Sequence, residues 1–199
     1  MATLEKTTRR YHGRLAETYD AKRARQRRWH VENEVVARML GYLHPRSVLD
    51  CPVGTGRFLK TYALLNVSAV VGIDASKEML ALARKKVPRS MKQHAEVDLF
   101  LGDASAIDAS DALFDVVVCV RFLDLLDAHA LDAVMRELCR VARRAVILTI
   151  RLGDEYFNKS NTATHHRRRF NALIKRLGWR VAESVPVLNA GWVIMRLER

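Results

Sequence analysis

The stretch VLDCPVGTGRFL, Val48 to Leu59, combines an apolar run, an acid and two closely spaced glycines. Asp50 ends the apolar run, and Gly54 and Gly56 follow in a turn before a helical pattern begins. Glycine has no Cβ, so such a turn lets the backbone approach a ligand closely. The N–H groups at the start of a following helix favour a carboxylate or a phosphate. A purely structural tight turn has the same pattern, so this stretch by itself leaves both interpretations open.

Two more acids end the next two apolar runs. VVGID ends at Asp74, and LFLGD ends at Asp103. A carboxylate at the second strand end of such a unit can accept hydrogen bonds from both hydroxyls of a ribose. Either acid taken singly could instead cap a helix or a turn. Three acids at three consecutive strand ends predict a shared ligand-binding crevice.

The elements that would position these acids alternate along the chain. Apolar runs of β type cover residues 47–50, 69–74, 97–103, 114–120 and 145–150. Helical patterns lie between them, one after a Ser76 cap and one with Leu131, Val134, Met135 and Leu138 at helical spacing. This alternation predicts a parallel sheet covered by helices on both faces, with ligands at the carboxyl ends of the strands.

The end of the chain has a different pattern. A helix with Phe170, Leu173, Ile174 and Leu177 on one face stops at Gly178. Two β-type runs follow without a helix between them, which predicts an antiparallel pair joined around Asn189, Ala190 and Gly191. The fold class is therefore α/β: a Rossmann-like doubly wound, mostly parallel seven-stranded sheet with a C-terminal antiparallel hairpin. At 199 residues no room is left for a separate substrate domain.

Charge is the unusual feature of the composition. The formal net charge is +12, and residues 1–30 carry nine Lys or Arg against three Asp or Glu. A second basic run, HHRRRF, begins at His165. Such patches attract anionic partners such as nucleic acid, a phospholipid surface or a phosphorylated acceptor, although a solvated surface explains them equally well.

Other classes of protein are disfavoured. No apolar run reaches the ~18 residues that span a bilayer, and the first residues lack the apolar stretch of a secretory signal, so we expect a soluble cytoplasmic protein. The three cysteines, Cys51, Cys119 and Cys139, lie in apolar segments and predict reduced core thiols. The histidines show no ligand spacing, so no metal site is expected.

The order VLDCPVGTGRFL, VVGIDASKEML, FLGDAS and FDVVVCVRFLDLL resembles the class I S-adenosylmethionine-dependent methyltransferases. The resemblance extends from about Tyr19 to Arg199. It implies S-adenosyl-L-methionine as cofactor and S-adenosyl-L-homocysteine as product. The glycine-rich motif of the family has a glycine where this chain has Pro52, which also removes one backbone N–H donor.

The resemblance implies a set of cofactor-binding residues. The turn from Asp50 to Gly56 would face the methionine portion, Asp74 with Ala75 the ribose, and Asp103 with Ala104 the adenine. Arg121 and Phe122, at the end of the fourth strand, would line the methionine moiety. The full set is Tyr19, Arg28, Asp50, Pro52, Gly54, Gly56, Asp74, Ala75, Asp103, Ala104, Arg121 and Phe122.

The N-terminal segment is similar to a lid of the small-molecule enzymes in this family. Tyr19-Asp20 followed by Arg28-Trp29 resembles the helical segment that closes over the cofactor there, and a plain surface helix fits as well. The expected division is a basic lid segment over residues 1–30 and a methyltransferase domain over residues 31–199. A dinucleotide-binding Rossmann unit is the alternative fold, but Leu59 occupies the position of its third phosphate-binding glycine.

The expected reaction is methyl transfer by in-line displacement. Because a sulfonium methyl is already activated, the protein must mainly orient the acceptor and exclude water. No dedicated base is obvious; Tyr156, His165, His166 and Asp124 are candidates for acceptor contact, with surface or capping roles favoured for each. We expect a small or medium, anionic acceptor. Alternatives are RNA or protein bound in a basic groove, or a non-catalytic cofactor-binding module.

Overall fold

The computed structural model of the chain describes residues 20–155, 157–159, 162–187 and 191–199. The helices are α1 (Arg27–Leu43), α2 (Leu59–Leu64), α3 (Lys77–Lys86), α4 (Arg89–His94), α5 (Ala128–Val141) and α6 (Arg167–Arg176), with a 3-10 turn at Leu123–Leu125. The strands are β1 (Ser47–Asp50), β2 (Ala69–Asp74), β3 (Glu96–Leu101), β4 (Phe114–Cys119), β5 (Ala142–Gly153), β6 (Phe157–Lys159), β7 (Thr162–His166), β8 (Arg180–Pro186) and β9 (Trp192–Glu198).

The main sheet has the predicted topology. Its parallel part runs in the order β3-β2-β1-β4-β5, and β9 pairs antiparallel with β5 and with β8. The strands therefore follow one another outward from β1 in both directions, and the C-terminal hairpin closes one edge. The predicted mostly parallel sheet with an antiparallel hairpin is confirmed.

Helices cover both faces of the sheet because its central strands are apolar on both sides. Every residue of β4 is buried. One core cluster includes Val134 and Leu138 of α5 with Phe170 of α6, and the other includes Leu40 of α1 and Tyr62 of α2. A strand buried on both faces is typical of a doubly wound sheet.

A small second hairpin lies beyond the predicted end of the fifth strand. β5 continues to Gly153, where Leu152 and Gly153 pair in parallel with β7, and β6 pairs antiparallel with β7. The sequence prediction ended the strand at residue 150, because the following residues are short, polar and without a clear period. The hairpin brings the start of α6 to the carboxyl edge of the sheet.

The N-terminal segment runs into the domain without a break. Residues 20–24 are helical, and α1 passes through the expected boundary at residue 30. Val36, Met39 and Leu40 of α1 are fully buried. The proposed lid over residues 1–30 is thus described only from residue 20; Tyr19 lies outside the described residues. Within the described ranges, no helix is long and apolar enough to cross a membrane.

Candidate active site

A cavity of about 710 Å³ lies at the carboxyl ends of β1, β2, β3 and β4. This volume is in the range of small-molecule sites. The residues that end or directly follow these four strands form most of its wall: Asp50, Cys51, Pro52, Val53, Gly54, Thr55, Asp74, Ala75, Ser76, Gly102, Asp103, Ala104, Ser105, Val120, Arg121 and Phe122. Nine of the twelve predicted site residues are in this wall, whereas Arg28 and Gly56 are not.

The two glycines of the first turn have different local roles. Both have positive φ, +56° at Gly54 and +78° at Gly56. A Cβ added at Gly54 would meet nothing within 4 Å, so this glycine leaves open space in the cavity wall. A Cβ added at Gly56 would lie 2.6 Å from Leu59 Cδ1 and 3.1 Å from Ala83 Cα. Gly54 therefore gives access to a ligand, and Gly56 allows α3 to pack against the turn.

Asp74 holds the first turn in place. Its Oδ2 accepts a hydrogen bond from Gly54 N at 2.8 Å, and its Oδ1 accepts one from Ser76 N at 2.9 Å. Burial raises the pKa of Asp74, and the backbone N–H groups of Ser76, Gly54 and Ala75 oppose that rise. Each carboxylate oxygen has a second lone pair. Asp74 can therefore organise the turn and also accept hydrogen bonds from a ligand in the cavity.

Asp50 is buried beside Tyr62, a residue that the sequence analysis missed. The Tyr62 hydroxyl donates to Asp50 Oδ2 at 3.0 Å. Burial raises the pKa of Asp50 to about 7, although the Tyr62 hydrogen bond and the charge of Arg57 oppose the rise. Burial thus favours the neutral form of Asp50 in the wall of the cavity.

Asp103 is exposed, and its carboxylate is hydrogen-bonded to a neighbouring residue. Its Oδ1 accepts hydrogen bonds from Ser105 N and Ser105 Oγ, both at 2.8 Å. The adjoining Ala104 is buried, with 5% of its surface exposed. The loop after β3 thus presents one polar and one apolar residue to the same part of the cavity.

Arg57 connects the first turn to the N-terminal helix and was also missed. It donates from Nε to Asn33 Oδ1 at 2.7 Å, and from its two terminal nitrogens to Glu32 Oε2 at 2.9 Å and to the Trp29 carbonyl at 2.8 Å. Its guanidinium lies 3.5 Å from the centroid of the Trp29 ring. Both Arg57 and Trp29 line the cavity, so Arg57 holds the start of α1 against this site.

The residues just before α1 also contact the turn. Thr55 Oγ1 donates to Asp20 Oδ1 at 2.7 Å, and Lys86 of α3 pairs with the other oxygen of Asp20. Asp20 belongs to the Tyr19-Asp20 pair on which the predicted lid was based. Its contacts place the N-terminal segment next to the glycine turn.

Arg121 and Arg28 lie together on the β4 side of the site. Arg121 has a φ of +64°, and its backbone N–H donates to Thr149 Oγ1 at 2.6 Å. Both guanidiniums stack on Trp192, with ring-centroid distances of 4.6 Å for Arg121 and 4.4 Å for Arg28. Both also lie near Glu32 Oε1, at 3.7 Å and 3.6 Å. Burial and the neighbouring Arg121 lower the pKa of Arg28.

The four candidates for acceptor contact have different environments in the structure. The capping role expected for His166 is confirmed, since its Nδ1 accepts a hydrogen bond from Arg168 N at 3.2 Å. A surface role is wrong for His165 and Asp124, which are 3% and 2% exposed. His165 Nε2 lies 2.9 Å from the Leu123 carbonyl, and burial lowers the pKa of His165. Tyr156 lies outside the described residues.

Asp124 is the other buried candidate, and its side chain is incompletely hydrogen-bonded. Within the described part of the chain, its Oδ1 is buried without a hydrogen-bond partner. Burial raises the pKa of Asp124, and the charges of Arg121 and Arg28 oppose the rise. The 3-10 turn Leu123–Leu125 therefore places a buried carboxyl next to the two arginines.

The cysteines are inert in this arrangement. Cys51, Cys119 and Cys139 are free and buried, and burial raises the pKa of each thiol, that of Cys139 to about 12. Of the residues that the structure describes, no group of three or more His, Cys, Asp or Glu side chains is arranged to hold a metal ion.

The strand order, the glycine turn after β1 and the acids after β2 and β3 together form the fold of the class I S-adenosylmethionine-dependent methyltransferases. Solved structures share this fold at low sequence identity. Magnesium protoporphyrin IX methyltransferase from Synechocystis, with bound S-adenosylmethionine, superposes with a TM-score of 0.68 at 16% identity, over 86% of this chain and 81% of that one. A Burkholderia thailandensis 1,6-didemethyltoxoflavin-N1-methyltransferase gives 0.68 at 16% identity, over 93% and 85%.

Sequence comparisons match the middle of the chain to methyltransferases. Residues 48–145, about half of the chain, match the family model of a methyltransferase domain. A phosphatidylethanolamine N-methyltransferase from Cereibacter sphaeroides is 38% identical over 97 residues, covering 49% of this chain and 45% of that protein. A demethylmenaquinone methyltransferase from Shouchella clausii is 35% identical over 101 residues, covering 49% and 40%. The chain thus spans less than half the length of these curated relatives.

Proposed function

We propose that this protein transfers the methyl group of S-adenosylmethionine to a small or medium, anionic acceptor. The observation that carries the proposal is the cavity at the carboxyl ends of β1 to β4, because its wall contains Asp50, Gly54, Asp74, Gly102 and Asp103, all within the matched family segment. Ligands of open α/β sheets bind at this edge of the sheet.

The residues fit this cofactor by their chemistry. The open space at Gly54 allows the aminoacyl part to approach the backbone. Asp74 has lone pairs left for the ribose hydroxyls, and Asp103 with Ala104 offers a polar and an apolar contact for the adenine. Asp50, Pro52, Ala75, Arg121 and Phe122 complete the proposed site.

The bound cofactor supplies a methyl group that needs no further activation. The contribution of this chain is to hold the donor and the acceptor in line and to exclude water, which supplies several kcal/mol of the barrier reduction. Trp29, held by Arg57, and the segment around Asp20 form the proposed cover of the site. Asp50, in the wall of the cavity, would supply a carboxyl group on the methionine side of a bound cofactor.

A small acceptor is supported by the relatives. Their names specify phosphatidylethanolamine, demethylmenaquinone, magnesium protoporphyrin IX and 1,6-didemethyltoxoflavin as acceptors of those enzymes. The anionic character is supported by the net charge of +12 and by the arginines on the β4 side of the cavity.

RNA or protein is the second candidate acceptor, and one surface feature favours it. Arg167, Arg168 and Arg169 are exposed at the start of α6, and none of them forms an ion pair with another described residue. Cations at a helix N-terminus are unfavourable, so this run is compatible with an anionic macromolecule bound at the surface.

The two candidates can be separated with labelled cofactor. The purified protein is incubated with methyl-labelled S-adenosylmethionine and a cell extract, and the label is sorted among small-molecule, protein and nucleic-acid fractions. We expect label in small molecules that an anion-exchange resin retains. Label in RNA or protein would support the second candidate. Absence of transfer despite measured cofactor binding would identify a non-catalytic binding module.

A further inference from the structure

Two arginines stack on Trp192, and a third lies opposite it in the sheet. Arg28 of α1 and Arg121 after β4 stack on its ring at 4.4 Å and 4.6 Å. Arg151 of β5 is the direct partner of Trp192 in the antiparallel β5–β9 ladder. Directly opposed residues in such a ladder extend to the same face of the sheet. We call Arg28, Arg121, Arg151 and Trp192 the Trp192 cluster.

Positive charge exceeds negative charge around this cluster. Glu32 is the carboxylate within ion-pair distance of Arg28 and Arg121, and its other oxygen accepts a hydrogen bond from Arg57. Asp124 interacts with Arg121 and Arg28 by charge, and its own burial favours its neutral form. Three guanidiniums, those of Arg28, Arg57 and Arg121, therefore share the carboxylate of Glu32.

Two donors of the cluster are left without acceptors. Among the described residues, Arg151 Nε and Arg121 Nη1 are buried and have no hydrogen-bond partner. Arg121 Nη1 lies 3.7 Å from Glu32 Oε1, beyond hydrogen-bond distance, and that oxygen has no hydrogen-bond partner either. Buried donors are nearly always hydrogen-bonded, so each such exception requires an explanation. Guanidinium groups bind carboxylates and phosphates through paired, charge-assisted hydrogen bonds. An oxyanion bound at Trp192 would satisfy both donors and balance the charge.

The cluster lies on the acceptor side of the proposed reaction. Asp74 and Asp103 follow β2 and β3, whereas the cluster lies at β4, β5 and β9 on the other side of β1 in the sheet order. If the nucleoside end of the cofactor lies over β2 and β3, its sulfonium end is directed towards β4. An acceptor anchored at Trp192 would then approach the methyl group from the side opposite to the nucleoside.

We propose that the Trp192 cluster binds an oxyanion, a phosphate or a carboxylate, carried by the methyl acceptor. This inference rests on the proposed function and makes its substrate class specific. It replaces the sequence-based assignment of Arg28 to the cofactor, because Arg28 does not line the cavity and stacks on Trp192. Arg121 stacks on the same ring and also lines the cavity, so it lies between the two proposed sites.

The test uses a simple anion as probe. The protein is first saturated with S-adenosylhomocysteine, whose affinity is measured by calorimetry, and is then titrated with phenyl phosphate, with benzoate and with neutral phenol. Arg151→Gln removes a member of the cluster. Arg144→Gln is the matched control, because Arg144 is an exposed arginine on the same strand. Arg28→Gln serves as a second variant if thermal unfolding shows that Arg151→Gln does not fold.

We expect the wild type to bind at least one of the two anions and not phenol. Loss of one charge-assisted contact should weaken anion binding about tenfold in Arg151→Gln, with no change in Arg144→Gln and an unchanged affinity for S-adenosylhomocysteine in both. Equal anion binding by all variants, or no anion binding by the wild type, would overturn the proposal. A loss of S-adenosylhomocysteine affinity in Arg151→Gln would also overturn it, by assigning the cluster to the cofactor carboxylate. Failure of the wild type to bind S-adenosylhomocysteine would contradict the proposed function itself.

Discussion

The glycine turn and the Trp192 cluster lie at the same edge of the sheet and differ in how well their polar groups are satisfied. In the turn, both oxygens of Asp74 accept backbone hydrogen bonds, and the Asp50 carboxyl accepts one from Tyr62. In the cluster, Arg121 and Arg151 each have a buried nitrogen without an acceptor among the described residues. The turn is therefore organised by the protein itself, whereas the cluster is completed by a ligand.

Substitution of the two turn glycines should have the largest effects, one on the stability of the protein and the other on ligand binding. Gly56→Val would place a branched side chain at positive φ and against Leu59 and Ala83, which should lower the free energy of unfolding by about 3–5 kcal/mol. Gly54→Ala meets no protein atom and should cost only about 1 kcal/mol of stability, but its methyl group enters the cavity. Urea unfolding and calorimetry separate the two effects.

The two variants can also contradict the roles proposed for Gly54 and Gly56. We expect Gly54→Ala to remain folded and to bind S-adenosylhomocysteine at least tenfold more weakly. If Gly54→Ala bound normally, the cofactor would not approach the backbone at this turn. If Gly56→Val were as stable as the wild type, the packing of α3 against Gly56 would be wrong.

Removal of Arg57 tests how the N-terminal helix is held against the turn. Arg57→Met keeps the stem of the side chain but removes its hydrogen bonds to Glu32, Asn33 and the Trp29 carbonyl. Since Glu32 would lose its closest cation in a buried position, we expect unfolding to become easier by about 3 kcal/mol. Chemical denaturation measures this loss. Equal stability of the wild type and Arg57→Met would show that Arg57 does not hold α1 against the turn.

The pKa of Asp50 predicts a dependence of stability on pH. The folded-state pKa is raised to about 7, so between about pH 4 and pH 7 the unfolded chain releases a proton that the folded protein keeps. Asp50 therefore makes the wild type less stable as the pH rises through this window, with no further change above it. Asp50→Asn removes this effect.

The measurement compares wild type and Asp50→Asn by denaturation at several pH values, so that all other titrating groups cancel. Relative to the wild type, the variant should gain about 2–4 kcal/mol of stability between pH 4 and pH 8. A difference that does not change with pH would show that Asp50 titrates near its ordinary value in the folded protein.

The comparison of the two regions also explains what sequence can predict. The turn was predicted because its determinants are local: Asp50, Gly54 and Gly56 lie within a few residues, and Asp74 and Asp103 end the next apolar runs. The strand order followed from the alternation of elements. These patterns depend on residues that are close together in the sequence, and the folded sheet contains them at the predicted places.

The missed residues depend on long-range packing. Arg57 bonds with residues 24 to 28 positions earlier, and the Trp192 cluster unites side chains from α1, β4, β5 and β9. Nothing in the local sequence distinguishes Arg151 from the exposed Arg144 on the same strand. The burial of Asp124 and His165 was missed for the same reason, because β7 and the hairpin that positions it have short, polar sequences.

We propose that Asp74 binds the ribose of S-adenosylmethionine in the described cavity. Because Asp74 also holds Gly54 and Ser76, its substitution could weaken binding through the turn as well as through the ribose. A double-mutant cycle, in which removal of the 2′-hydroxyl of the ligand is the second change, separates the two effects. Calorimetry is performed with S-adenosylhomocysteine and its 2′-deoxy analogue on the wild type, on Asp74→Ala and on Asp98→Ala, an exposed acid of β3.

We expect Asp74→Ala to weaken binding of S-adenosylhomocysteine about tenfold or more, as the loss of a charge-assisted hydrogen bond predicts. Removal of the 2′-hydroxyl should weaken binding to the wild type and to Asp98→Ala, and should have little effect on binding to Asp74→Ala. An equal penalty for the deoxy analogue in all three proteins would show that Asp74 does not contact the ribose. Unchanged affinity of Asp74→Ala for S-adenosylhomocysteine would contradict the assignment of the whole site.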